Sequence, residues 1–285
     1  ITMKPSSNSN NQKVDVNILN DKSKLTLSSY KSINLHFANT SNSQNNQIKV
    51  EDFNNLNIDG TQAVSLDSIH LNGAKTKSAQ IQSNAPLHLN EVVFEDEQSK
   101  LPKELTIKNG GQTIDADKVY VGKENSDLVS NLKMNKELKL ESHSNLECSN
   151  CSFDSQMNYV VITGKKLPPP ELKLSKGSAD NFNPKSISIY VNSVNDDKSA
   201  RYNITNKQYY PIVSQFNQDR CEKILQSIVD LPADMAVRCQ NGVLELLTGV
   251  FQDFYSEHYS TGQIVGMVFA SIIVATCAYL VFIYI

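Results

Sequence analysis

The chain has 285 residues, a length that accommodates one or two domains. Charged residues make up 20%, the formal net charge is -3, and no basic block is present to track a phosphate backbone, so nucleic acid is excluded as an expected partner. Trp is absent, so a sugar-stacking surface would have to draw on the 11 Tyr.

Residues 1–12 are polar and are expected to be flexible. From 13 to 153 one short motif recurs, two apolar residues flanking a polar one. It appears as Leu25-Thr-Leu27, Ile33-Asn-Leu35, Ile48-Lys-Val50, Leu56-Asn-Ile58, Ile69-His-Leu71, Leu87-His-Leu89, Leu105-Thr-Ile107, Val119-Tyr-Val121 and Leu138-Lys-Leu140. Period-two alternation is the signature of strands with one buried face. Turn residues close many of these strands, as in LNIDG, IHLNG and LTIKNGG. The pattern predicts a mainly β fold, a parallel β-solenoid, with an antiparallel β-sandwich as the alternative.

Residues 154–213 continue in strands, among them Leu172-Lys-Leu174 and Ile187-Ser-Ile189, with Pro168, Pro169 and Pro170 forming a rigid crossing. From 214 to 258 the reading turns helical. Cys221, Ile224, Leu225, Ile228 and Val229 fall on one helix face, and Pro232 opens a second helix. On that second helix Val243, Leu244, Leu246, Leu247, Val250, Phe251 and Phe254 form a broad apolar stripe, completing a juxtamembrane hairpin.

Residues 263–285 contain no charge and no Pro, and as a helix 264–285 would span about 33 Å. The expectation is a single C-terminal transmembrane helix. Its flank at 253–262 carries acids and no Lys or Arg, which places the preceding domain outside the cell or in a lumen. Gly262, Gly266, Ala270 and Ala278 share a helix face suited to packing against another transmembrane subunit or a second copy. The first residue is Ile and no secretory apolar segment is seen, which a removed leader would explain.

Of the five Cys, four form local pairs, Cys148 with Cys151 and Cys221 with Cys239, expected as disulfides of an oxidising compartment. A zinc half-site of His143, Cys148 and Cys151 is the alternative. Asn39, Asn150 and Asn203 head glycosylation sequons. No phosphate loop, nucleophile elbow, metalloprotease helix or calcium loop occurs, and no cofactor is expected. Asp59, Asp67, Glu91 and Asp117 are carboxylates that a polysaccharide-active β-helix would need to bring together. His36, His70, His88, His143 and His258 are scattered, and His70 and His88 stand mid-triplet, facing solvent. The sequence thus points to a non-enzymatic single-pass glycoprotein, an accessory subunit of a membrane assembly. The competing readings are a surface adhesin or receptor with an extracellular or lumenal ligand, and a polysaccharide-active enzyme.

Overall fold

The computed structural model of the chain describes residues 1–4, 12–19, 22–38, 46–71, 78–95, 103–108, 114–122, 125–129, 132–141, 144–164, 169–192, 208–232 and 235–248. Its first strands are β1 (Thr2–Met3), β2 (Lys13–Ile18), β3 (Lys24–Ser28), β4 (Ser32–Phe37), β5 (Gln47–Glu51), β6 (Asn55–Gly60), β7 (Val64–Leu71) and β8 (Ser78–Ser83). They continue as β9 (Leu87–Glu95), β10 (Lys103–Lys108), β11 (Ile114–Gly122), β12 (Asn125–Val129), β13 (Leu132–Glu141) and β14 (Asn145–Cys148). The remainder are β15 (Ser152–Phe153), β16 (Asn158–Gly164), β17 (Glu171–Leu174), β18 (Ser186–Asn192), β19 (Gln208–Ser214), β20 (Ile228–Asp230), β21 (Met235–Gln240) and β22 (Val243–Thr248).

Successive strands alternate between two sheets. The first runs β1-β3-β5-β7-β9-β11-β13-β16-β18-β20, and the second β2-β4-β6-β8-β10-β12-β14-β17-β19-β22-β21. Pairing is parallel until β19, which meets β22 in antiparallel register. The protein is therefore a parallel β-solenoid, and the antiparallel sandwich is set aside. Parallel neighbours cannot be joined by a tight hairpin, so each coil must cross to the other sheet before returning.

The triplets form the strands because only their outer residues reach the core. In β4, Ile33, Leu35 and Phe37 are buried while Ser32, Asn34 and His36 are partly exposed. Stacked rungs then place like residues over like: Ile33 over Leu56, and Leu66 over Leu89. One apolar column runs from Ile18 to Leu246. Between β11 and β13 the register shifts, Ala116 pairing with Met134 but Lys118 with Glu137, so β13 carries the extra residue of a bulge. Helix α1 (Lys176–Asn181) leads to Phe182, whose ring meets Phe153 and Tyr159 edge-on at 5.0 and 5.7 Å.

The region read as a helical hairpin differs. Its first half is helix α2 (Gln218–Leu225), capped by Asn217 and burying Cys221 and Ile224. Its second half is the β21–β22 hairpin, turning at Asn241 and Gly242, both with positive φ. Leu244 and Leu246 point inward on alternate positions, so the apolar run has period two rather than 3.6. Val250, Phe251 and Phe254 lie outside the described residues.

The membrane expectation is also corrected. Among the described residues no helix is long and apolar enough to cross a membrane. The longer of their two helices, α2, has 8 residues and rises about 12 Å, against the roughly 30 Å of a bilayer core. Residues 263–285, with Gly266, Ala270 and Ala278, and Gly262 before them, lie outside the described residues. Neither the single-pass subunit nor the membrane location inferred from that span is supported by the fold.

Candidate functional site

Because strands are stacked in register, the polar middle residues of successive triplets also stack, on the outside. On the second sheet this gives two neighbouring rows. One is Asp15, Asn34, Asn57, Gln82 and Lys108, from β2, β4, β6, β8 and β10. The other is Asn17, His36 and Asp59, extended by Asn84 just beyond β8.

Hydrogen bonds tie the rungs together. Asn57 Nδ2 donates to Asn34 Oδ1 at 2.7 Å, and Asn34 Nδ2 donates in turn to Asp15 Oδ1. Asn84 Nδ2 donates to Asp59 Oδ1, its own Oδ1 accepts from the Gly60 N–H at 3.0 Å, and His36 Nδ1 stands 3.5 Å from Asp59 Oδ2. The Asn84 hydrogen bond, then that of His36, holds the Asp59 carboxyl below the usual aspartate range. Asn34, and next to it Lys13, do the same for Asp15. Both carboxylates are thus anionic at neutral pH.

These rows border a groove of about 590 Å³ lined by Asn34, His36, Asn57, Asp59, Gln82, Asn84 and Lys108. A second depression of about 330 Å³ lies on the same sheet, lined by Lys31, Asn54, Asn55, Ser78, Gln80 and Thr106. Among the described residues neither has a Phe, Tyr or Trp in its lining. The groove offers paired donors and acceptors of fixed direction, one anion and one cation, on a floor closed by Ile58 and Ser83.

The first sheet carries a different set. His88 Nδ1 contacts Asp115 Oδ1, and its Nε2 lies 3.8 Å from Asp117 Oδ2, which also takes Lys136 Nζ at 2.5 Å. Asn90 bonds Asp67 at 3.3 Å and His70 Nε2 lies 3.8 Å from Glu91. Asp67, Glu91 and Asp117 therefore belong to the first sheet and Asp59 to the second. The four carboxylates considered together in the sequence do not converge on one pocket.

Cys148–Cys151 closes the turn after β14, and Cys221–Cys239 links α2 to β21, a helix-to-strand staple. With Cys148 and Cys151 bridged, the zinc reading falls. Among the described residues no group of three or more His, Cys, Asp or Glu could hold a metal. Asn150 is exposed in the bridged turn. Asn39, Asn203, His143 and His258 lie outside the described residues.

Sequence reasoning missed the amide rows. Their signal was present, since the middle of Ile33-Asn-Leu35 and Leu56-Asn-Ile58 is Asn both times and Gln82 follows Ile81. It becomes a site only once the rungs are aligned. Comparison with protein-family models, with curated protein sequences and with solved structures finds no match.

Proposed function

We propose that the protein is a non-catalytic binding module that holds an extended, hydroxyl-rich polymer, a linear polysaccharide, on the outer face of its second sheet. The observation that carries this is the hydrogen-bonded amide–carboxylate rows bordering the groove. Side chains already tied to the next rung lose little rotamer freedom when a ligand arrives. They stand in rows about 7 Å apart along each strand and recur about every 4.8 Å along the stack, so a hydroxyl-rich ligand lying on the sheet meets several fixed partners at once.

Other ligand classes fit less well. Protein partners favour large aromatic anchors and Arg at the centre of an interface, and among the described residues this lining has no Phe, Tyr, Trp or Arg. A phosphate backbone would face the Asp15 and Asp59 carboxylates. Support for binding without catalysis comes from the carboxylates being shared between opposite sheets.

The test is affinity electrophoresis of the protein through gels holding soluble neutral or uronic-acid polysaccharides. At least one polymer retards the protein, and the Asn57→Ala/Asp59→Ala double variant weakens that retardation about tenfold, as loss of two or three ligand hydrogen bonds requires. Circular dichroism of the variant stays unchanged. Free migration through every polymer would sink the reading.

A further inference from the structure

The two depressions on the second sheet lie side by side, not one after the other along the stack. Both use β6, β8 and β10: Asn57, Gln82 and Lys108 line the larger, while Asn55, Gln80 and Thr106 line the smaller. Each pair sits two residues apart on one strand, so both members face outward, about 7 Å from each other. Asn55, Gln80 and Thr106 are themselves in register across the three rungs. Resting on the polysaccharide reading above, we infer that the smaller depression is a second sugar subsite, and that the glycan crosses the sheet along the strand direction rather than following the solenoid axis.

The backbone supports a fixed second subsite. Asn55 N–H donates to Lys31 O at 3.0 Å and Gln80 N–H to Asn54 O at 2.7 Å, so the loop edges beside the depression are held to neighbouring coils. Among the described residues its lining includes a cation, Lys31, while the larger groove carries Lys108 and the Asp59 carboxylate.

The experiment is calorimetric titration of the full chain with cello-oligosaccharides and with galacturonic-acid oligomers of one to six units. Affinity should rise by about tenfold or more when the oligomer becomes long enough to occupy both depressions. Asn55→Ala/Gln80→Ala should abolish that rise and leave the shortest binding oligomer unaffected, whereas Asn57→Ala/Asp59→Ala should weaken every length. Length-independent affinity, or a rise that survives Asn55→Ala/Gln80→Ala, would overturn the second subsite while leaving the first intact. Absence of binding by any oligomer of either series, in a protein that polysaccharide gels do retard, would also overturn it. Failure in both assays removes the reading it rests on.

Discussion

Asp59 illustrates what a single side chain gains from the stack. Its carboxylate is exposed to water, yet it is fastened to Asn84 one rung away and neighbours His36 on the other side. Asp59, Asp15 and Asp154 are all held below the usual aspartate range, Asp59 by Asn84, Asp15 by Asn34 and Asp154 by the Gln156 backbone N–H. A carboxylate with a depressed folded-state pKa contributes stability that is present above its unfolded value and lost as pH falls through the folded one. The thermal midpoint should therefore hold from neutral pH to about 4 and fall below that. Asp15→Asn with Asp59→Asn should make the acid limb shallower in scanning calorimetry, and an unchanged slope would refute the assignment. Tyr159 is the buried counterpart: its hydroxyl donates to Ile212 O at 3.0 Å, and burial raises its pKa. Tyr159→Phe leaves that carbonyl unpaired and should cost about 1–3 kcal/mol in urea unfolding. Asp59 was visible in the sequence as a carboxylate, but its partners come from coils some two dozen residues away, a relation no local pattern encodes.

The clearest misreading, at the level of elements, is the β21–β22 hairpin. Val243, Leu244, Leu246 and Leu247 satisfy a helical spacing as well as a strand one, because a short apolar run fits both periods. Asn241-Gly242 was the deciding signal, since both central residues of a type I′ hairpin turn need positive φ, and here they have 52° and 73°. Gly242 also packs against the preceding loop: a Cβ there would lie 2.0 Å from Phe216 O. Gly242→Ala should thus destabilise by more than about 1 kcal/mol, through strain and clash together. Urea midpoints with unchanged slope would measure it, and a neutral result would contradict the turn. The Cys pairs, in contrast, were legible, because short spacing limits who can meet whom. The Cys221–Cys239 bridge encloses a loop for which Cys239→Ser should lose roughly 3 kcal/mol, plus the packing of a residue, Cys221, that is fully buried. Reduction of the wild type should reproduce most of that loss.

For the molecule as a whole, the solenoid was readable from the triplets because each coil repeats the same physical demand, apolar in and polar out. The coil register was not readable. Consecutive triplets go to opposite sheets, and the joining segments differ in length, so Leu66 stacks on Leu89 while Leu89 stacks on Ala116 across a longer interval. Such an architecture makes each rung depend chiefly on its two neighbours. Leu66, fully buried in a central coil, has neighbours on both sides, and Leu66→Ala should cost about 2–5 kcal/mol. Val14 belongs to β2, which ends the second sheet and is only partly buried, so Val14→Ala should cost well under that. The same asymmetry predicts the order of opening. Amide exchange should be fastest in β1 and β2 and slowest in β7, β9 and β11, where β9 has a full partner strand on each side. Leu66→Ala should then raise exchange in β7, β9 and their immediate neighbours before it reaches α2 and the β21–β22 hairpin. Uniform acceleration from β2 through β22 would instead mean that the coils open as one unit, and the nearest-neighbour account would have to be given up.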